Sequence, residues 1–243
     1  MSFNKILHFK SLDSSNDHAK TIASDYPHGT VVQSDIQTKG KGRGEHSWDS
    51  GPGGLYLSVI LKPELQPQAT LPITLITALA IARTLEEFGV NATIKWPNDI
   101  LVGEKKLAGI LTEAASSGDK LDYVVVGTGI NLNNPLPNDL PAVSLGQLSG
   151  GKVDTTVFRD LYLHKLHELY QRFIKEGFQE MGAEWGQRAG ASGKRLRDRK
   201  SGEFLGRFGG LAKDGAILYW PANRDQSSMN PERCYDTEVD LLD

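Results

Sequence analysis

The chain has 243 residues, 39% hydrophobic and 23% charged, an ordinary globular composition that argues against disorder and allows one or two domains. Lys and Arg number 27 against 30 Asp and Glu, so the net charge of -3 disfavours a global electrostatic grip on nucleic acid and leaves only a local patch open. The one cysteine, Cys234, excludes an internal disulfide and a multi-cysteine zinc site, and fits a reducing compartment.

In chain order, Ile6 to Phe9 suits an opening strand, and Asp13-Ser14-Ser15-Asn16 is a run of capping residues that predicts a short helix to about Ala23. Thr30 to Ile36 reads as a strand. Gln37 to Gly54 is a long loop carrying six glycines, and loops of that length in compact domains are usually functional or disordered. Leu55 to Lys62 alternates as a strand does, and Leu71 to Phe88 is an apolar helix stopped by Gly89. Leu71 to Leu85 is interrupted by Thr74, Thr77, Arg83 and Thr84, short of the roughly 18 apolar residues of a membrane span. Residues 1–8 lack the apolar core of a signal peptide, so no membrane and a cytoplasmic location are expected. Ala92 to Trp96 is a short strand ended by Pro97, Ile100 to Val102 and Lys106 to Thr112 form a hairpin, and Tyr123 to Asn131 is a buried strand. Asp154 to Met181 has helical spacing with Asp154 as cap. Gly190 to Gly193 reads as a linker or tight turn. Residues 194–243 read as short strands separated by Gly209-Gly210, Asp214-Gly215 and Pro221-Ala222-Asn223. The expected organisation is an α/β-type layer domain over 1–189 and a small all-β domain over 190–243.

Several familiar signatures fail. Gly146 to Lys152 has P-loop spacing, but Val153 stands where a magnesium-binding Ser or Thr belongs. Gly127-Thr128-Gly129 lacks the third dinucleotide-site glycine, and Gln171 replaces the second histidine of a zinc-protease motif after His167-Glu168. His164 and His167 suit a solvated helix face better than a metal site, and no metal ligand set is expected.

Polar clusters at strand ends remain. Gly40-Lys41-Gly42-Arg43-Gly44 alternates glycine with cation, so its backbone N–H groups and two charges can approach a phosphate, although a solvated basic loop has the same composition. Trp48, in the same loop, can stack on a flat base. Lys95-Trp96-Pro97-Asn98-Asp99 follows a strand, with Trp96 expected in the core and a plain turn as the competing account. Lys105 to Glu113 carries Lys106 and Gly109, and Gly127 to Asn133 ends an apolar strand in two asparagines.

Together with Asp13-Ser14-Ser15-Asn16, Gln37-Thr38 and Gly53-Gly54-Leu55-Tyr56-Leu57-Ser58, these blocks, in chain order, resemble the biotin protein ligases, also called biotin–[acetyl-CoA-carboxylase] ligases. The likeness is dense over residues 1–135 and loose over 190–243, where the Asp214-Gly215-Ala216 turn carries it. The family loop usually reads Gly-Arg-Gly-Arg-x-Gly-Arg; here the first arginine is Lys41, the second is Arg43 and the third is His46, so loop closure can differ in strength or pH response.

The resemblance implies an α+β fold: a mixed β-sheet packed with helices, as in class II aminoacyl-tRNA synthetase and biotin synthetase catalytic domains, followed by a small SH3-like β-barrel. It implies an ATP-dependent ligase that forms biotinyl-5′-AMP and transfers biotin to a lysine of a biotin carboxyl carrier protein or domain, with biotin, ATP and Mg2+ required. Arg43 and Lys106 are expected on the reacting oxygens. Ser14, Ser15, Asn16 and Gln37 are expected at the ureido ring of biotin, and Trp48 and Asn98 at adenine with Asn131 nearby. Gly40, Lys41, Gly42 and Gly109 complete the expected binding set. The start of the chain close to Ser14 leads to the expectation of a monofunctional enzyme that does not bind DNA. Lys194, Arg195, Arg197, Arg199 and Lys200 are read first as a solvated hairpin and second as a contact for an acidic carrier, and a homodimer is open. A lipoate or octanoate enzyme of the same fold, a biotin sensor with little turnover, and a nucleic-acid-binding protein using residues 194–200 stand as alternatives.

Overall fold

Every residue of the strand Leu55–Leu61 is buried, which requires cover on both faces of its sheet. The computed structural model, which describes residues 3–137, 139–222, 230–235 and 239–242, supplies that cover with helices on each side. The strands of the main sheet are β1 (Lys5–Phe9), β2 (Thr30–Ser34), β3 (Leu55–Leu61), β4 (Thr93–Lys95), β5 (Asp99–Val102), β6 (Lys105–Ser117) and β7 (Lys120–Ile130). They lie in the order β1-β2-β3-β7-β6-β5-β4. Only β1 and β2 run parallel; the other neighbours are antiparallel, so the sheet is mixed.

Helix α1 (Ser15–Ile22) covers one face, where Ala19 and Ala23 meet Val32, Ile60 and Val125. Helix α2 (Thr70–Glu87), entered through a 3-10 turn at Pro67–Ala69, belongs to the larger core on the other face. Helix α2 buries residues all around its circumference, as a central core helix must. Its buried hydroxyls are satisfied inside the helix: Thr77 donates to Ile73 O at 2.8 Å and Thr84 to Ala80 O at 2.7 Å. By length and composition Pro67–Glu87 is long and apolar enough to cross a membrane, contrary to the shorter stretch expected from sequence, but 72% of its most apolar window is buried inside the protein.

A short helix, α3 (Leu145–Ser149), was not expected; a capping box of Ser144 and Gln147 starts it. It contains part of the P-loop-like stretch. The single helix expected over 154–181 is two. Helix α4 (Thr155–Glu176) starts at the Asp154 cap and ends at Gly177, which has φ 80° and ψ −175°, and α5 (Gln179–Arg188) follows. Helical periodicity continues through the break, while the backbone turns at the one residue without a side chain. His164 is exposed, as expected. His167 is half-buried, its ring edge-on to Phe3 at 5.0 Å.

After the turn at 190–193 come β8 (Arg195–Asp198), β9 (Phe204–Leu211), β10 (Ile217–Pro221), β11 (Glu232–Cys234) and β12 (Val239–Leu242). They form an antiparallel sheet in the order β11-β10-β9-β8-β12, consistent with a small C-terminal domain. Gly209-Gly210 does not separate strands as expected; both lie inside β9, where Gly210 pairs with Leu218 of β10 and Gly209 falls at the register shift. Asp214-Gly215 does form the β9–β10 turn. The expected break at Pro221-Ala222-Asn223 ends outside the described residues at Asn223, and so do the last strand details at 223–229 and 236–238. Trp185 of α5 is fully buried and meets Trp96 edge-on at 5.5 Å, so the indole expected in the core is there.

Candidate active site

The open end of the main sheet holds a cavity of about 560 Å³, within the range of small-molecule sites. One wall is the start of α1. Ser14 caps that helix, its hydroxyl accepting from Asp17 N at 3.3 Å. The Ser15 amide donates to Gln37 Oε1 at 2.7 Å, and Ser58 of β3 donates to Asn16 Oδ1 at 2.6 Å. Asn16 Nδ2 donates to Leu111 O at 3.1 Å and Glu113 Oε2 at 2.9 Å. Ser14, Ser15 and Asn16 are all buried yet line the cavity, so their polar atoms are fixed in position before any ligand arrives. Gly127 makes this possible. A Cβ there would collide with the Asn16 carboxamide.

The second wall is the glycine-rich loop. It folds as a small hairpin, with Lys41 bridged to Ser47, Gly42 N donating to His46 O at 2.7 Å and Trp48 N to Gly40 O at 2.9 Å. Gly40, expected among the binding residues, does not line the cavity. It is buried at the loop base, where a Cβ would strike Trp48 O. The alternation of glycine and cation reads the same at both places; only the fold turns one glycine inward. Gly42, Lys41 and Arg43 do face the cavity.

The floor is β5 to β7. Arg43 Nη1 donates to Asn98 Oδ1 at 3.3 Å, while Asn98 Nδ2 donates to Ile110 O at 2.9 Å. Lys106 Nζ lies 2.7 Å from Asp99 Oδ1 and 5.2 Å from the Trp48 ring centroid. The Trp48 indole rests on two glycines, since a Cβ on Gly109 would come within 2.9 Å of Trp48 Cζ3 and one on Gly129 would clash with its pyrrole edge. Trp48 Nε1 is buried without a hydrogen-bond partner among the described residues. Asn131 Nδ2 reaches Lys106 O at 3.4 Å, and Asn134 Nδ2 donates to Asn131 Oδ1 at 3.0 Å.

Every expected binding residue except Gly40 therefore meets at one cavity. Sequence reasoning missed several others. Ser58 closes the Gly53–Ser58 block of the family likeness but carries no signal of a role, being one hydroxyl in an apolar strand. Gly127 and Gly129 did, because two glycines two apart on a strand clear one face for close approach. Asp99 and Glu113 orient Lys106 and Asn16. Arg199, at the end of β8, reaches the rim, held by Asp240 with Nη2 2.9 Å from Oδ1. That placement splits the basic run, since Arg197 also bonds Asp240 and Arg195 lies over Phe204. Among the described residues no group of three His, Cys, Asp or Glu side chains gathers as a metal site.

A cavity lined both by buried neutral polar groups and by cations without a nucleophile suits the joining of a carboxylic acid to a nucleotide. The family model described as biotin/lipoate A/B protein ligase matches residues 8–131. The bifunctional ligase/repressor BirA of Bacillus subtilis (strain 168) is 33% identical over 246 residues, covering 97% of this chain and 74% of that one. A biotin–[acetyl-CoA-carboxylase] ligase from Paracoccus denitrificans is 30% identical, covering 87% of this chain and 93% of that one. Among solved structures, a biotin protein ligase from Aquifex aeolicus in complex with biotin and ATP superposes with TM-score 0.81 at 26% identity over 98% of each chain. The fold and the site together place the chain in the biotin/lipoate A/B protein ligase family. Within that family it is an enzyme of the biotin protein ligase type.

Proposed function

We propose that this cavity first joins biotin to AMP and then passes biotin to a lysine on the carrier domain of a biotin-dependent carboxylase. A biotin carboxylate oxygen bonds to the α-phosphorus of ATP, and the bond to the β-phosphate bridging oxygen breaks, releasing pyrophosphate. A carrier lysine amine then bonds to the acyl carbon, the acyl C–O bond to the phosphate breaks so that AMP leaves with that oxygen and the bonding pair, and the amine proton is lost to water. The observation that carries this reading is that one cavity is lined both by the polar set Ser14, Ser15, Asn16 and Gln37 and by the cations Arg43 and Lys106.

The ureido ring of biotin has two N–H donors and one carbonyl, and each needs a partner once buried. The α1 wall supplies hydroxyl, amide and carbonyl groups already held by one another. Both reactants of the first step are anions, so cations must lower their repulsion, most of all in the transition state. The Arg43 fork suits two oxygens at once, and Lys106 supplies a compact charge. Asp99 and Asn98 hold these cations in place, and Trp48 and Asn98 offer an adenine a flat face and an amide. The 40–46 hairpin would close over the adenylate and keep water from the mixed anhydride.

Magnesium fits this site as a counter-ion carried by the triphosphate, which needs only one or two protein carboxylates; Glu45, Asp49 and Asp99 are those on the cavity wall. A cytoplasmic setting is in keeping with a single thiol, Cys234, that is buried.

The test is biotin-dependent exchange of labelled pyrophosphate into ATP, run beside lipoate and octanoate, followed by transfer of labelled biotin to an isolated carrier domain. Exchange with biotin alone and label on one carrier lysine are expected. Exchange with lipoate instead would overturn the assignment of the α1 wall, and exchange without transfer would confine the enzyme to the first step.

A further inference from the structure

A line of alternating charge runs under the loop. Glu113 on β6 meets Lys20 on α1 at 2.6 Å, Lys20 meets Asp17 at 2.9 Å, and Asp17 meets Lys41 of the loop at 2.7 Å. Each inner member is held from both sides. Partial burial pushes the Asp17 carboxyl up, but hydrogen bonds from Lys41 and Lys20 outweigh it and leave it below the usual carboxylate range. Burial pulls Lys20 down, and its bonds to Glu113 and Asp17 more than restore it. One end of the line supports a wall of the cavity, because the other Glu113 oxygen accepts from Asn16, which lines it. The far end, Lys41, is itself on the wall, whereas Asp17 is not. Asp17 can therefore influence a ligand only through the residues it holds.

We infer that Asp17 is a positioning residue that pins the Lys41 end of the 40–46 hairpin to α1, so that the loop keeps its cavity-facing shape before a ligand arrives. Gly40, Gly42 and Gly44 give this loop more backbone freedom to lose on binding than other residues would. A pin set in advance removes part of that loss. It does so without consuming the cation, because the two Asp17 oxygens, at 2.9 and 2.7 Å, engage at most two of the three ammonium protons. The bend just before the same helix holds the loop entrance through Asp13, which accepts from Thr38 Oγ1 and from Lys39 Nζ at 2.8 Å. Asp17 belongs to a helix whose sequence signal was capping, so nothing in its position suggested a link to a loop 24 residues away.

This inference deepens the proposed function and rests on the loop serving the ligands. It is tested by pyrophosphate exchange and by cleavage after Glu45 with a glutamate-specific protease, on the wild type, D17N, D17E, K41M and the D17N/K41M double variant. For D17N an about three-fold rise in the KM of ATP or biotin with kcat nearly unchanged is expected, within the up to about five-fold that a partly exposed ion pair supports. Faster cleavage of the ligand-free protein should accompany it, D17E should restore both, and D17N should add nothing in the K41M background. Unchanged KM and cleavage in D17N would overturn the inference. So would an undiminished D17N effect on top of K41M, or a fall in kcat and melting temperature with KM unmoved, which marks a structural role. A wild-type protein that fails to exchange refutes the proposed function instead, and the cleavage comparison still decides whether Asp17 holds the loop.

Discussion

Gly127 and Gly129 stand two apart on β7, and each has a site side chain lying where its own Cβ would be. Asn16 cannot withdraw from Gly127, because Ser58, Leu111 and Glu113 hold both ends of its carboxamide. Gly127→Ala should therefore act on the biotin end. Overpacking typically costs 1–3 kcal/mol, so a rise of about ten-fold or more in the KM of biotin is expected, with the KM of ATP nearly unchanged in steady-state exchange. Lys106→Met probes the other end. Removing one preorganised charge from a developing anion costs about 3 kcal/mol, so kcat for exchange should fall by roughly 100-fold. Lys106→Arg should recover little of it, since a planar fork does not replace a compact ammonium beside Asp99. At this scale the sequence was largely legible: polar residues that serve no packing purpose at strand ends proved to share one cavity. What it hid were the supports. Ser58 matters through partners distant in the chain, Asp99 through a pairing across the β5–β6 hairpin, and Gly40 differs from Gly42 only in which way the folded loop turns it.

Elements were legible wherever local chemistry decides them. The Ser14 and Asp154 caps start α1 and α4 where side-chain oxygens meet the first free amides. The α4–α5 break was not legible, because apolar spacing runs on through it. Gly177 marks it, with a backbone conformation open essentially to glycine alone. Gly177→Ala should cost about 1–3 kcal/mol, a fall of roughly 2 to 10 °C in melting temperature for a chain of this size. Because Gly177 does not line the cavity, KM and kcat below the transition should be unchanged. A melting temperature equal to wild type would mean that α4 can run on through this position. Gly209 and Gly210 failed as turn signals for the opposite reason: they lie within β9 at a register shift against β10, where bare backbone is tolerated inside a ladder.

At the scale of the molecule, α5 is the tie. It packs on β4 and β9, so one helix touches both sheets. Trp185 anchors its apolar side against Trp96. Its polar side carries Glu184, which accepts from Arg83 Nε on α2 at 3.0 Å and from Arg188 Nε at 2.9 Å; Arg188 in turn reaches Glu86 at 2.7 Å. Burial pushes the Glu184 carboxyl up, but the two arginines outweigh it and hold it below its ordinary value near 4.5. For Glu86 the hydrogen bond from Arg188 leads and burial opposes it, again with a net lowering. Both groups thus release their protons more readily folded than unfolded. Their stabilisation is complete above the unfolded carboxylate pKa near 4.5 and is lost as the pH falls below that through the lower folded values. Melting temperature should accordingly drop below about pH 4.5 in the wild type. Glu184→Gln should lower it at pH 7, through a stability loss of about 1–3 kcal/mol as two guanidiniums lose an anionic partner, and should flatten the acid slope. A variant with the wild-type slope intact would show that acid sensitivity resides elsewhere. If that variant also kept its neutral-pH melting temperature, the junction between the two sheets would rest on the Trp96–Trp185 contact and its apolar surroundings rather than on charge.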